Sequence, residues 1–232
     1  MATPAEDSRD AQLAIAEAAA ALASRAWPEL DLHDLRRTMP RFKLQIAAAV
    51  RHYSPGAARA AIRFYLGQRR GANIPGTPRL NHAPAPSLEH VGSTVNWVAE
   101  PLWGDSDLAT AEKRLEAAVE RLVLNVGRET LVDAVQSDRQ AIAWARVPEP
   151  DACYFCAMLA TRGAVFTSAH AAGENNDYHD HCRCHVEPVF TAYEPTARIR
   201  QWQADWNDLK REHGGVSLSV WRAHYDATYV AA

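Results

Sequence analysis

All four cysteines of this 232-residue chain fall within 32 residues, from Cys153 to Cys184, and four of its ten histidines lie between Cys153 and His185. That concentration limits the fold more than any other feature. The run Cys153-Tyr154-Phe155-Cys156 is a C-x-x-C pair, and His179-Asp180-His181-Cys182-Arg183-Cys184 follows after a gap. A C-x-x-C at a helix-opening turn places two thiolates within reach of one ion, and a second pair from a distant loop completes a tetrahedron. Six ligands, Cys153, Cys156, His179, His181, Cys182 and Cys184, compete for four positions. Cys153, Cys156 and Cys182 are the firmest, and the fourth position stays open between Cys184 and the two histidines. Sulfur and imidazole donors select zinc over calcium or magnesium.

Two other readings compete with metal: buried free cysteines beside solvated loop histidines, and disulfides. Paired cysteines form disulfides in oxidising compartments and bind metal in reducing ones. The N-terminus shows no signal-peptide pattern and no segment approaches a membrane span, so a cytosol-like compartment, and hence metal, is expected. A disulfide from Cys153 to Cys182 or Cys184 is the alternative for a chain that ends in an extracellular particle. A catalytic zinc would need an open position and a base such as Glu174, Asp177 or Asp180. A site offered six ligands is expected to be closed, so the metal is read as structural. No phosphate-binding glycine loop, dinucleotide fingerprint, Gly-x-Ser-x-Gly or His-Glu-x-x-His occurs.

Charge is unevenly placed. Between Leu35 and Leu88 stand ten basic residues, Arg36, Arg37, Arg41, Lys43, Arg51, Arg59, Arg63, Arg69, Arg70 and Arg79, with no Asp or Glu, although the net charge of the chain is −3. The block through Arg70 is a candidate anion-binding surface.

The remaining pattern is helical. An alanine-rich segment from Asp7 to Trp27 predicts a first helix, its alanine face suited to close approach. A second helical segment starts near Asp31, Pro40 opens a helix over 41–53, and Ser54-Pro55 reads as an N-cap and first-turn proline opening another to about Gln68. The Pro-rich stretch from Gly71 to Pro86 is a plain surface loop, a candidate hinge, or an arm lying along a neighbour. Ser106 or Asp107 caps the expected longest helix, whose apolar stripe Leu108, Leu115, Val119, Leu122 and Val126 continues past Gly127 through Ile142 and Trp144 to Val147. Pro148-Glu149-Pro150 stops it. Short apolar pieces at 164–166 and 186–190 suit a small hairpin or two strand edges, and two amphipathic helices, 195–213 and 217–229, flank Gly214-Gly215. The expected fold is mainly α with a small α+β zinc-knuckle-like element. A helical region occupies 1–106, and 107–232 carries the long helix, the metal-stapled knuckle and the C-terminal helices.

At the cysteines the chain resembles the Mu F-type (MuF-like) minor head proteins of tailed bacteriophages, in the versions found in phages of actinobacteria. The likeness rests on Cys153-Tyr154-Phe155-Cys156, then Arg162-Gly163-Ala164-Val165-Phe166, then His179-Asp180-His181-Cys182-Arg183-Cys184, preceded by Ala143-Trp144-Ala145-Arg146-Val147-Pro148. It spans roughly 127–190, and His181 departs from a position that is often asparagine in the wider family. The resemblance implies a non-enzymatic, low-copy minor capsid protein, made in the host cytoplasm and housed inside the procapsid near the portal. Portal, scaffold or major capsid proteins are the implied partners, with packaged DNA as a further partner for the basic block and no membrane role. Two other functional classes stand beside it: a zinc-dependent nuclease or hydrolase using the His179–His181 loop, and a zinc-knuckle nucleic-acid-binding protein.

Overall fold

The computed structural model describes residues 4–104, 107–149, 151–166 and 182–230. Three helices form the body: α1 (Pro4–Ser24), α2 (Leu35–Gly71) and α5 (Leu108–Ser137). Ala16, Ala19, Ala20 and Ala23 of α1 are buried in the same core as Phe42, Ile46 and Val50 of α2 and Leu115, Val119 and Leu122 of α5. The alanines are thus the face through which α1 closes on its neighbours. Two shorter helices, α3 (Leu88–Val98) and α4 (Glu100–Trp103), cover one end of this core through Val91, Val95, Val98 and Leu102. Each such aliphatic side chain, once fully buried, contributes about 1.5–3 kcal/mol.

Gly127 sits where α5 crosses α1 and α2. A Cβ there would lie 2.0 Å from Gln12 Oε1 and 3.5 Å from the Ala57 carbonyl oxygen. Gln12 is itself buried, so a larger side chain has nowhere to push it. Gly127→Leu is expected to destabilise by about 1–3 kcal/mol through overpacking, read as a lower urea midpoint. Gly127→Ala should destabilise less, because the gain in helix propensity offsets part of the clash between its Cβ and the end of the Gln12 side chain.

The helix α2 is the first departure from expectation. It runs unbroken for 37 residues through both Pro40 and Pro55, and it is longer than the 30-residue α5. Each proline removes one i to i−4 bond, but Phe42, Ile46, Ala49, Val50, Ala57, Ala61, Phe64 and Tyr65 are buried on both sides of the prolines. Tertiary burial therefore overrides the local stop signal. Ser54 caps nothing; its hydroxyl donates to the Val50 carbonyl at 2.7 Å. The true cap of α2 is Asp34, which accepts from Arg37 N, and that of α5 is Asp107, which accepts from Thr110 N.

A second departure follows α5. The helical reading to Val147 fails, because α5 ends at Ser137 and Ala143–Val147 is a strand, β1, buried at all five positions. Burial on both faces removes the alternation that marks a strand, leaving an apolar run that spacing alone cannot separate from helix. Its antiparallel partner is β2 (His185–Val189), with Trp144 opposite Pro188 and Val147 opposite His185. Phe166 does not pair with β2. It bridges Trp144, whose N–H donates to the Phe166 carbonyl at 3.0 Å while the two rings stack at 4.6 Å. The small sheet is thus assembled from segments far apart in sequence rather than from a local hairpin.

Beyond the sheet lie α6 (Tyr154–Thr161), α7 (Ala197–His213) and α8 (Leu218–Tyr225). Trp202, Trp221 and Tyr225 pack with Ala145, Val147, Ala157 and Ala160 in a second core. Thr196 and Ser217 cap α7 and α8, and Gly214 ends α7 at φ 70°.

The Pro-rich stretch behaves as neither hinge nor arm. Arg69 Nη1 donates to the carbonyls of Ile74 (3.1 Å), Pro75 (2.8 Å) and Gly76, and Ala83 N donates to Thr130 Oγ1 at 3.0 Å. Both ends of the stretch are therefore fastened to the chain's own helices.

Candidate metal centre

Cys153 is the N-cap of α6, with φ −67° and ψ 160°, and the first helical turn carries Cys156 round beneath it. Cys182 and Cys184 arrive on the segment that leads into β2, which β1 holds in register. The Sγ atoms of Cys156, Cys182 and Cys184 all lie within 4.8 Å of one another, and those of Cys156 and Cys182 are 3.6 Å apart. A tetrahedral zinc with Zn–S of about 2.3 Å requires S···S of about 3.8 Å. The spacing fits a shared ion and is far beyond the roughly 2.05 Å of a disulfide. All four cysteines are free thiols. Cys153 packs against this cluster and is in hydrogen-bonding contact with Cys156, but its Sγ is not one of the three that all lie within 4.8 Å of one another.

Electrostatics separates the thiols. Cys182 is held lowest, first by hydrogen bonds from Cys156 and Cys184, with the Arg128 charge and the Cys184 backbone N–H also acting downward. Cys156 is pushed up, chiefly by its contact with Cys153 and then by Cys182, Cys184 and burial. For Cys184 the contact with Cys156 works downward, but the Cys182 thiolate and burial outweigh it. Thiols so close cannot all ionise unless a cation joins them, which is the condition a metal supplies.

Two clamps position the cluster, and neither was legible as part of it. Arg128 of α5 is buried. Its Nε donates to the Cys184 carbonyl at 3.0 Å, its Nη2 to the Cys182 carbonyl, and its Nη1 to Asn125 Oδ1 at 2.8 Å. From the other side, Trp221 Nε1 donates to the Tyr154 carbonyl at 2.7 Å and the Tyr225 hydroxyl to the Ala152 carbonyl, the two residues that flank Cys153. The signal for Arg128 was present as an arginine in the second apolar row of α5, between the buried Leu124 and Leu131. The roles of Trp221 and Tyr225 depend on contacts 67 and 73 residues away in sequence, for which no local signal exists.

Adjacent to the cluster, His185 is buried with neither ring nitrogen hydrogen-bonded among the described residues. Burial, followed by the charges of Arg9 and Arg128, lowers its pKa to about 3, so it is a neutral ring packed edge-on to Phe64. His179 and His181, the histidine candidates for the fourth position, lie outside the described residues.

The basic block divides. Arg69 leaves it: the side chain is buried and pairs with Asp138 at 2.8 Å, because it faces α5 rather than solvent. Arg37 is paired with Asp31 and Asp34, and Arg41 with Glu29, while Lys43 is half-buried. Arg36, Arg51, Arg59, Arg63 and Arg70 remain exposed on α2.

The sequence model described as VG15 protein matches residues 1–209. The chain belongs to the VG15 protein family. The match covers the helical body, the sheet, all four cysteines and most of α7, and the family is a phage-gene family. No curated protein and no solved structure matches the chain. Within this VG15 chain, three buried cysteines stand close enough to hold a metal ion, and no described helix is long and apolar enough to cross a membrane.

Proposed function

We propose that this VG15 chain is a structural, non-enzymatic protein of a tailed-phage head, a MuF-like minor capsid or head-morphogenesis protein whose knuckle is stapled by zinc. Membership of a phage-gene family supports the phage setting. The observation that carries the structural reading is the burial of the cluster: Cys156, Cys182 and Cys184 are 2–4% exposed, beneath a clamp of backbone hydrogen bonds. A catalytic zinc keeps a position open to water and substrate. Here Cys153, Cys156, Cys182 and Cys184 would hold the ion as a closed thiolate set, with Arg128 and Arg146 offsetting its negative charge. Zinc is favoured because an all-sulfur donor set of this spacing suits a soft, tetrahedral ion. Its place is inside the procapsid, in contact with portal, scaffold or capsid subunits.

Elemental analysis with a thiol count on the same purified sample tests the staple. One zinc per chain is expected, with thiols that react only after chelation; a metal-free sample with four freely reactive thiols would refute it. Mass spectrometry of purified virions and of procapsids tests the setting. The chain should be present in heads at low copy, and its absence from both particles would remove the head-protein reading without touching the staple.

A further inference from the structure

The exposed arginines of α2 share a physical situation that the helix geometry makes explicit. At 100° and 1.5 Å per residue, Arg59, Arg63 and Arg70 fall within a sector of about 40° along roughly 16 Å of the helix, with Arg51 about 12 Å further towards the N-terminus and about 80° round from Arg59. All four are exposed, and none has an ion pair among the described residues. No acid occurs between Leu35 and Leu88 to neutralise them from within the segment. The helix beneath them is one rigid rod of 37 residues, about 55 Å long, anchored along its opposite face by a continuous buried row. Three cations are therefore held in a line at fixed spacing, with Arg51 as a fourth to one side, while the chain as a whole is acidic.

We infer that this face of α2 is a docking surface for the phosphate backbone of duplex DNA, read without regard to sequence. The assignment stands on charge and geometry, independently of the zinc staple and of the head-protein reading. An acidic protein is the competing partner, and the composition of the face argues against it. Protein interfaces anchor on aromatic and apolar side chains at their centre with charges at the rim. The single strongly exposed large apolar residue of α2 is Leu44, well away from Arg59 to Arg70, and the exposed tryptophans Trp97 and Trp103 belong to α3 and α4. A line of unpaired arginines with no apolar centre suits a continuous line of phosphates, to which each cation contributes chiefly by releasing counterions.

The test is fluorescence anisotropy of the full chain against two labelled 30-base-pair duplexes of unrelated sequence, titrated between 50 and 200 mM NaCl. Four phosphate contacts predict a slope of log Kobs against log salt of about −3.6, hence an affinity loss on the order of 100-fold across that range, equal for both sequences. The variant Arg59→Glu/Arg63→Glu/Arg70→Glu should lose binding, whereas Arg59→Lys/Arg63→Lys/Arg70→Lys should retain the slope; both should keep the wild-type far-ultraviolet helicity, since the side chains are exposed. Arg37→Ala, which removes a cation already paired with Asp31 and Asp34, should leave the slope within about half a unit. Absence of binding at 50 mM, a salt-independent affinity, or a charge-reversed variant that binds as wild type would overturn the assignment. Poly-glutamate of matched charge displacing DNA more effectively than unlabelled duplex would overturn it too, in favour of an acidic protein surface.

Discussion

Cys156→Ser should lower stability by more than any other single substitution in this chain, on the order of 5–10 kcal/mol out of the roughly 10–16 kcal/mol that a structural zinc contributes to folding. Serine keeps the shape but is a poor ligand, and it would sit at the centre of the cluster, in contact with Cys153, Cys182 and Cys184 at once. Since whole domains are stable by only about 5–15 kcal/mol, the region from β1 to α8 should fail to hold its packing. Near-ultraviolet circular dichroism from Trp144, Trp202 and Trp221, all buried in or beside that region, reports it directly. A chelator should do to the wild type what the substitution does to the variant. An unchanged melting temperature in both experiments would mean that the thiols are mere core residues. The helical body has its own core and should keep its far-ultraviolet signal in either case.

The second large effect lies at the far end of α2. Asp138 caps the C-terminus of α5, accepts from Arg69 Nε at 2.8 Å and from the Tyr65 hydroxyl at 3.0 Å, and accepts from Gln140 N at 3.0 Å through its other oxygen. Asp138→Ala leaves a guanidinium and a phenol buried without this acceptor, which should cost about 3–5 kcal/mol, read as a fall in urea midpoint at constant slope. The pH dependence carries a definite sign. Burial alone would raise the Asp138 pKa, but the bonds from Gln140, Arg69 and Tyr65 outweigh it and the carboxyl is held below its ordinary value. Protons therefore bind the unfolded state more readily, so the ionised Asp138 stabilises above about pH 4, and this contribution is lost as pH falls through the depressed folded value. Asp138→Asn, which does not titrate, should show a shallower acid limb between about pH 4 and 2. An acid limb identical to wild type would show that the pair contributes nothing to folding.

Most helices were legible because their apolar spacing and caps are local properties. Asp107 before α5, Ser217 before α8 and the glycines after α7 announce themselves within four residues. What misled was equally local. Pro40 and Ser54-Pro55 carry the marks of helix starts, yet the chain around them buries one face continuously, and burial outweighs two absent hydrogen bonds. Ala143–Val147 follows helical spacing because both of its faces are covered, Trp144 by α2 and α5 and Ala145 and Val147 by α6, α7 and α8. For the site, the cysteines were visible as a concentration, and burial narrows their role. Arg69 looked like its basic neighbours because sequence shows charge but not the direction in which a side chain points. Arg128 showed only as a charge within an apolar row and Trp221 and Tyr225 gave no local signal, since their partners lie 54 to 73 residues away.

The cluster also has a cost in chain entropy. Bringing Cys156 and Cys182 together closes a loop between positions 26 residues apart, which costs conformational freedom equivalent to about 3–4 kcal/mol in the chain-entropy account, a cost that an ion bound there on folding would offset. Within that segment Ala157, Ala160 and Phe166 are core residues. Insertions or deletions within that segment should change this term only slowly, because the entropy of closure grows with the logarithm of length. Length changes that spare those core residues should therefore leave β1 and β2 in register.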